Sequence, residues 1–180
     1  AYDGDDPIKR KIMSVFLESG LFFSGFGLPF HYAGRGKLTN TADMIRLILR
    51  DEAIHGYVIG QWLQRDLKEL PEEKQTEYWE WAVGVAVDLY ENEEKYTRSL
   101  YDEVGLTDTI LPYVRYNMNK ALMNAGWDGI FPETLRDIDP VLASSLSQEE
   151  VGDFFSGATT YAIGASEDVS DDDFNDPDWD

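Results

Sequence analysis

Apolar residues recur at helical spacing along most of this chain, and they predict four helices. The first is predicted over residues 8–28, after an acidic, proline-containing start, and Pro29 is predicted to end it. The others are predicted over about 41–70, 71–104 and 107–123, starting at Asn40 or Thr41, Pro71 and Thr107, with Gly105 as a stop. We find no strand-like alternation, no internal repeat and no glycine-rich phosphate loop, so the predicted fold class is all-α.

The second predicted helix carries the most informative pattern. Its buried face is predicted from an apolar stripe at helical spacing, formed by Ile45, Ile48, Leu49, Ile59, Trp62 and Leu63. Glu52 and His55 continue that stripe, and residues three apart on a helix lie on one face. In the first helix, Glu18 lies in the same way on the predicted apolar face, among Ile12, Val15, Phe22 and Phe26. The sequence therefore predicts two carboxylates and one imidazole that point inward.

These inward polar groups have two interpretations. A carboxylate buried without a partner is costly or becomes neutral, so Glu52 needs a partner. That partner could be His55 alone, or an arginine such as Arg46 or Arg50. Alternatively, Glu52 and His55 are the Glu-x-x-His half of a carboxylate-bridged dinuclear metal site in a helical bundle. The motif alone does not decide between them.

The C-terminal part of the chain has a different composition. Beyond Gly126 the pattern becomes irregular, with Pro132 and Pro140 as breaks. From about residue 148 the chain is rich in Ser, Gly, Asp and Glu with scattered aromatic residues, and such a segment cannot bury enough apolar surface to offset its ordering entropy. We therefore predict a helical domain over residues 1–147 and an acidic tail over 148–180 that is disordered on its own.

Composition limits the class of protein. With 180 residues and 43% hydrophobic residues, the chain can form one sizeable core, and the absence of cysteine excludes disulfides and zinc–thiolate sites on this chain. The longest nearly uncharged run, residues 21–33, is broken by glycines and a proline and is too short to span a bilayer. No secretory signal pattern opens the chain. We expect a soluble, cytoplasmic protein that does not associate with membranes.

The charge is strongly negative and unevenly distributed. The formal net charge is −20, which argues against nucleic acid as a partner because phosphate binding needs a basic surface. No Lys or Arg follows Arg136, whereas 13 acidic residues lie from Asp137 onward. The tail therefore carries most of the excess charge.

Four stretches together resemble a known family. They read LESGLFFSGFGLP, RGKLTNTADMIRLILRDEAIHGYVIG, LYDEVGLTDTILPYVRYNMNKALMNAGW and DFFSGATTYAIG, and they are similar to the radical-generating small subunit of class Ib ribonucleotide reductase. The resemblance covers essentially the whole chain but only the C-terminal half of the family's usual length. It implies a ferritin-like bundle with two manganese or iron ions beside a stable tyrosyl radical. It also implies a large catalytic subunit that reduces ribonucleotides to deoxyribonucleotides.

The resemblance assigns roles to individual residues. Glu18, Glu52 and His55 match metal ligands of the family. Asp51 matches a carboxylate on the radical-transfer path, although from the residues alone a salt bridge to Arg50 or Arg46 explains it as well. Tyr161 matches the tail tyrosine that passes the radical between subunits, and without the family it is an incidental aromatic residue or a minor docking contact.

Five further matches are less specific. Lys120 and Asn124 match polar residues near the family's oxidant channel, although in isolation they read as solvent-facing helix positions. Phe22, Phe23 and Phe26 resemble the apolar lining near the metals, and core packing explains them equally well.

The resemblance also implies that this chain holds half of a metal site. Bundle sites of this type take one Glu from each of two helices and Glu-x-x-His from each of two others. This chain supplies one of each, so we expect half of a ferritin-like bundle with about four helices. The remaining ligands and the radical tyrosine are expected upstream of Ala1, in an N-terminal half carried by a separate chain or removed from this one. Two copies of this chain could also supply the full number of ligands. In the family, however, the radical tyrosine lies four residues after the histidine of the first half, and the residue four positions after His55 is Ile59.

Further partners follow from the same resemblance. The tail is expected to dock on the large subunit, a flavodoxin-like activator is expected, and a second copy of the assembly is expected. The ligand types do not select between manganese and iron, because carboxylate and imidazole groups bind both. The alternative from another class is a ferritin-like metal binder, or a protein that only occupies the large subunit, with no radical chemistry.

Overall fold

The computed structural model describes residues 4–21 and 23–147, with side chains through residue 143. It is helical throughout, with no strand among those residues, which confirms the predicted all-α class. The α-helices are α1 (Pro7–Ser19), α2 (Phe23–Ala33), α3 (Thr39–Lys68), α4 (Glu72–Tyr101), α5 (Thr107–Asn124) and α6 (Pro140–Ser147), with a 3-10 turn at Leu135–Asp137. The predicted tail, residues 148–180, lies outside the described residues.

The first predicted helix is two helices in the structure. Asp6 caps α1 by accepting hydrogen bonds from the backbone N–H groups of Ile8 at 2.9 Å and Lys9 at 3.2 Å, and Pro7 follows as the first helical residue. α1 ends at Ser19, and Gly20 and Leu21 lie outside both helices. The prediction of one helix over 8–28 was therefore wrong. The apolar residues keep their helical spacing across Gly20 and Leu21, so the pattern does not show that the helix is interrupted there.

Pro29 lies inside α2 and does not end it, contrary to the prediction. Proline in a helix lacks an N–H and its ring crowds the carbonyl four residues earlier, which here belongs to Gly25. The helix nevertheless continues past the proline to Ala33, so the packing of α2 against α3 and α5 offsets this cost.

The start of α3 lies before the predicted cap. Leu38 is the N-cap, with φ of 53°, and its carbonyl accepts the first helical hydrogen bond from Ala42 N at 2.9 Å. Asn40 and Thr41 are inside the first turn, so the prediction that one of them caps the helix was wrong. Left-handed backbone at a leucine costs roughly 1–2 kcal/mol, which the packing of α3 must offset.

Proline marks the starts of two helices. Pro71 precedes α4 as predicted, and Glu72 and Glu73 occupy the first turn, where acidic side chains favour the positive end of the helix. Pro140 was predicted to be a break, but it is the first residue of α6, because proline is well suited to the first turn. The irregular pattern beyond Gly126 therefore includes one short helix that the sequence did not reveal.

Helix α5 is the centre of the bundle. It carries more buried residues than any other described helix, and it packs against α1, α2, α3 and α4. Thr107, predicted to cap it, is its first residue, and Leu106 is the cap. One core cluster lies towards α1 and the other towards α2, and their fully buried large side chains include Ile12, Phe16, Leu63, Met118, Leu122, Phe30, Leu49, Tyr101, Ile110 and Tyr113.

The predicted apolar stripe of α3 is only partly buried. Leu49 and Leu63 are 1% and 0% exposed, but Ile48 and Trp62 are 46% and 54% exposed. The buried face instead includes Ala42, Gly56 and Gly60. The stripe is wider than the surface that the described helices cover, so one edge of it stays open.

The segment Pro7–Ala33 is long and apolar enough to cross a membrane by length and composition alone. In the structure it forms α1 and α2, and 47% of its most apolar window is buried. Buried core helices of soluble proteins pass the same test. The described residues show no clear membrane-protein character.

We predict that Asn119→Ala lowers the free energy of unfolding by about 1–3 kcal/mol. The Asn119 amide donates to the carbonyls of Phe131 at 2.9 Å and Glu133 at 3.3 Å, and its Oδ1 accepts from Phe131 N at 3.0 Å. Asn119 is only 7% exposed, so alanine would leave these groups without partners and without water. Urea unfolding measures the loss, and Asn92→Ala, at an exposed position of α4, is the control. Equal stability of the two variants would contradict the prediction.

Candidate metal centre

Three predicted ligands meet where α1 passes the middle of α3. Glu18 lies in the last turn of α1, and Glu52 and His55 lie one turn apart on α3. One ligand atom from each of the three lies within 4.8 Å of the others. The tertiary fold thus brings together residues that are more than thirty positions apart in the sequence.

Small residues allow this close approach. A Cβ atom on Gly56 would overlap Ser19 Oγ of α1, and a Cβ atom on Gly60 would overlap the carbonyl of Asn124 at the end of α5. The two glycines lie four residues apart on the buried face of α3, next to the ligands. The two glycines of the GYVIG segment therefore set the distance from α3 to its neighbours. The sequence analysis did not use them to predict a close approach of helices.

His55 lies between the two carboxylates. Its Nδ1 is 3.1 Å from Glu52 Oε2 and 3.5 Å from Glu18 Oε2. The side chains of Glu18, Glu52 and His55 are 23%, 31% and 57% exposed, respectively. The predicted inward orientation was therefore wrong for His55, because no described helix covers this side of α3.

The electrostatics of the three groups are coupled. A hydrogen bond shared with Glu52 raises the pKa of Glu18, with burial and the Glu52 charge acting in the same direction. The same shared bond lowers the pKa of Glu52, helped by its contact with His55. The hydrogen bond to Glu52 raises the pKa of His55. Two facing carboxylates stabilise each other only through a shared proton or a cation between them.

The arginine interpretation of Glu52 was wrong. Arg46 forms its ion pair with Asp43, and Arg50 Nε lies 4.0 Å from Asp51 Oδ1. Among the ion pairs of the described residues, those of Glu18 and Glu52 involve only His55. The Glu–His pair of the first interpretation is present, with Glu18 added to it.

The donor set fits a divalent transition metal. Two carboxylates and one imidazole suit manganese, iron or zinc, and the chain has no cysteine that would favour a softer ion. Three donors cannot complete the shells of two ions, which in bundle sites of this type take four carboxylates and two histidines. The observed set therefore fits half of a dinuclear centre.

The other predicted site residues are distributed differently. The side chain of Asp51 is 64% exposed to solvent. Its Oδ1 lies 4.0 Å from Arg50 Nε, and an exposed ion pair of this length adds little to the stability of the fold. Tyr161 and Phe22 lie outside the described residues. Phe23 is buried against Tyr113 in the core, and Phe26 lines a cavity of about 600 Å³ that includes none of the three ligands.

One polar neighbour of the ligands was only partly anticipated. Asn124 Nδ2 donates to Ser19 Oγ at 2.9 Å, and the Asn124 carbonyl accepts from Gln64 Nε2 at 3.0 Å. This links the residue after Glu18 to the end of α5. Asn124 is half-buried, so the interpretation of it as a solvent-facing residue was wrong. Nothing in the sequence indicated that Ser19 or Gln64 would lie beside the ligands. Lys120 is half-buried one turn earlier on α5.

Comparison with known proteins decides the family. Residues 1–140 match the family described as "Ribonucleotide reductase, small chain". This chain belongs to that family. This chain is 49% identical over 177 residues to the ribonucleoside-diphosphate reductase subunit beta nrdF2 of Mycobacterium tuberculosis, covering 97% of this chain and 55% of that protein. It is 46% identical to the ribonucleoside-diphosphate reductase 2 subunit beta of Escherichia coli, covering 97% of this chain and 56% of that one.

A solved structure supports the same assignment. This chain is similar to the dimanganese(II) form of NrdF from Streptococcus sanguinis, with a TM-score of 0.76 and 47% identity. The match covers 79% of this chain and 50% of that chain. These relatives confirm the class Ib resemblance and the ferritin-like bundle, and they support a dinuclear metal site. The chain spans about half the length of the curated relatives that it matches.

Proposed function

We propose that this chain contributes Glu18, Glu52 and His55 to the dinuclear centre of a class Ib ribonucleotide reductase small subunit. The observation that supports this most directly is the convergence of the three donors within 4.8 Å in a member of that family. The other ligands come from a complementary segment, which corresponds to the part of the relatives that this chain does not match. The assembly is an oxidoreductase component that works with a large subunit on ribonucleoside diphosphates in the cytoplasm.

The residues of this chain hold and orient the metal. Glu18 and Glu52 would offer carboxylate oxygens from two helices, and His55 would offer a ring nitrogen. Ser19, Asn124 and Gln64 fix the spacing of α1, α3 and α5 behind these ligands. When bound and oxidised by an oxygen-derived oxidant, the pair of manganese or iron ions would supply the oxidising equivalent for a radical.

The remaining roles come from the family and form part of the proposal. Residues 1–147 form the helical domain and 148–180 the tail that docks on the large subunit. Asp51, exposed next to Glu52, is available to a residue of the complementary segment on the radical path. Tyr161 carries the radical between subunits. A flavodoxin-like activator and a second copy of the assembly complete the set of partners.

The test is the metal stoichiometry of the chain with and without the complementary segment. We expect the isolated chain to bind Mn²⁺ or Fe²⁺ weakly, because three donors leave both coordination shells open and His55 is exposed to water. Together with the complementary segment, two ions should bind per site. Equilibrium dialysis with metal analysis distinguishes the cases. Tight binding of two ions per pair of isolated chains would instead support a site made by two copies, and absence of binding in every case would contradict the proposal.

A further inference from the structure

Glu18 lies inside a wide turn at the end of α1. The backbone N–H groups of Gly20 and Leu21 both donate to the carbonyl of Phe16, at 2.9 Å and 3.0 Å. The second of these bonds spans five residues instead of the four of a regular α-helix, so the turn holds one extra residue. We call residues 16–21 the wide turn. The direction of the Glu18 side chain depends on how this turn is held.

Helix α4 holds the chain just after the wide turn at two points. Ser24, in the first turn of α2, is fully buried. Its hydroxyl donates to Glu93 Oε2 at 2.6 Å, and its carbonyl accepts from the Tyr101 hydroxyl at 2.5 Å. We call Ser24, Glu93 and Tyr101 the clamp. A hydroxyl-to-carboxylate bond of this length is stronger than a bond between neutral groups, so the clamp is a firm attachment.

The buried face of α4 changes character where it reaches the clamp. Residues three or four apart on a helix share a face, and the first half of this face is apolar, with Ala82 and Ala86 fully buried. The second half is polar and consists of Glu93, Thr97 and Tyr101 at four-residue spacing. Apolar side chains would fill this space without the cost of burying polar groups. The polar half therefore serves to fix one position of α2, because paired buried polar groups specify a unique arrangement.

Open space beside the break between α1 and α2 increases the importance of the clamp. Glu93 lies at the edge of the cavity of about 600 Å³, together with Leu21, Phe26 and Ile45. Side chains that border a cavity lose the packing contacts that neighbouring atoms would provide there. The two hydrogen bonds of the clamp are therefore the main constraint on the chain at this side of the break.

We propose that the clamp positions Glu18, because it holds α2 in place and thereby keeps the wide turn of α1 closed. Ser24, Glu93 and Tyr101 are positioning residues, since they act on Glu18 through the backbone of the wide turn. This inference rests on the proposed function for the role of Glu18 as a ligand. It adds a role in the metal centre for α4, a helix that carries none of the three ligands.

The first measurement is hydrogen exchange of single backbone amides in the full chain without metal, followed by nuclear magnetic resonance. Ser24→Ala and Glu93→Ala should each speed exchange of the two amides of the wide turn, Gly20 and Leu21, at least about tenfold. Loss of a hydrogen bond to a carboxylate shifts a local opening equilibrium by about this factor. The Ala125 amide, which closes the end of α5, should exchange as before.

Three further variants make this result specific. Thr97→Val removes a hydroxyl from the same face of α4, fully buried and without a hydrogen-bond partner among the described residues, and should change exchange of the wide turn by less than about twofold. Glu93→Gln keeps an oxygen that can accept from Ser24, so it should restore most of the protection lost in Glu93→Ala. Combining Ser24→Ala with Glu93→Ala should cost no more than either change alone, because both remove the same bond.

The second measurement separates positioning from general stability. Mn²⁺ affinity is measured for this chain assembled with the unmatched segment of the Mycobacterium tuberculosis relative, expressed as a separate polypeptide. Ser24→Ala should weaken Mn²⁺ binding about tenfold, which is the lower end of the effect of groups that orient metal ligands. Asn119→Ala loses buried hydrogen bonds elsewhere and should leave Mn²⁺ affinity within about twofold. Equal losses of affinity in these two variants would show a merely structural role and overturn the inference.

The outcomes also separate this inference from the proposed function. Unchanged exchange of the wide turn in Ser24→Ala and Glu93→Ala, or equally faster exchange along the whole chain, would overturn the clamp. Faster exchange of the wide turn with unchanged Mn²⁺ affinity would overturn the positioning of Glu18 and leave the metal function intact. If the unchanged assembly binds no pair of ions, the metal function fails and the role of Glu18 fails with it. The exchange rates then still decide whether the clamp holds the wide turn.

Discussion

Replacing Tyr161 with phenylalanine is expected to abolish nucleotide reduction by the assembled enzyme. A phenol can give up an electron from its ring together with the proton of its O–H group, and the reverse step restores it. Phenylalanine keeps the ring and its apolar area but has no such proton. Metal loading, radical formation and affinity for the large subunit should therefore stay nearly unchanged while turnover falls to background. The measurement is turnover, with the radical quantified by electron paramagnetic resonance in the same sample.

Two further variants make this result specific. Tyr57→Phe removes an exposed phenol from α3 and should leave turnover unchanged, because Tyr57 lies outside the proposed radical path. Removal of the residues after Ser166 should instead abolish binding to the large subunit and leave metal loading intact, since aromatic residues in an acidic segment provide affinity and steering. Substantial turnover by the Tyr161→Phe assembly would show that the relay does not pass through this residue.

Glu52→Gln is expected to weaken metal binding by the completed assembly at least about a hundredfold. Glutamine has the same shape but no charge, and it is a poor substitute for a carboxylate as a ligand of a divalent cation. Loss of groups that only support metal ligands costs about ten- to a hundredfold, so loss of a ligand should cost no less. Titration of the metal-depleted complex with Mn²⁺ gives the change in affinity. Glu69→Gln, at the exposed C-cap of the same helix, is the control and should bind normally.

The stability of the metal-free chain distinguishes a ligand from a structural residue. Glu52 and Glu18 share a hydrogen bond, and the amide N–H of glutamine at position 52 can donate to the Glu18 carboxylate in its place, which offsets the weakened contact with His55. We expect the free energy of unfolding without metal to change by no more than about 0.5 kcal/mol. A large destabilisation with unchanged metal affinity would show that Glu52 is part of a structural Glu–His pair instead.

The helices were largely predictable, and their errors have a common cause. Hydrophobic periodicity located α3, α4 and α5 within a few residues, because each is long and its apolar face repeats many times. It failed at Gly20, where α1 and α2 share one apolar pattern across a break, and at Pro29, which the helix tolerates. It also missed α6, whose eight residues are too few to show a period. Short elements and breaks depend on neighbouring helices, which a local pattern does not contain.

For the candidate site, the sequence by itself determined that Glu52 and His55 share one face of a helix, since three-residue spacing fixes this for any α-helix. The sequence also carried the resemblance to the family, through four longer stretches of which Glu-x-x-His is only a part. Only the tertiary structure decided that Glu18, on another helix, reaches both of them, because that depends on how closely α1 and α3 pack at Gly56. Only the structure decided that Ile48 and Trp62 stay exposed, since periodicity shows which face is apolar but not what covers it.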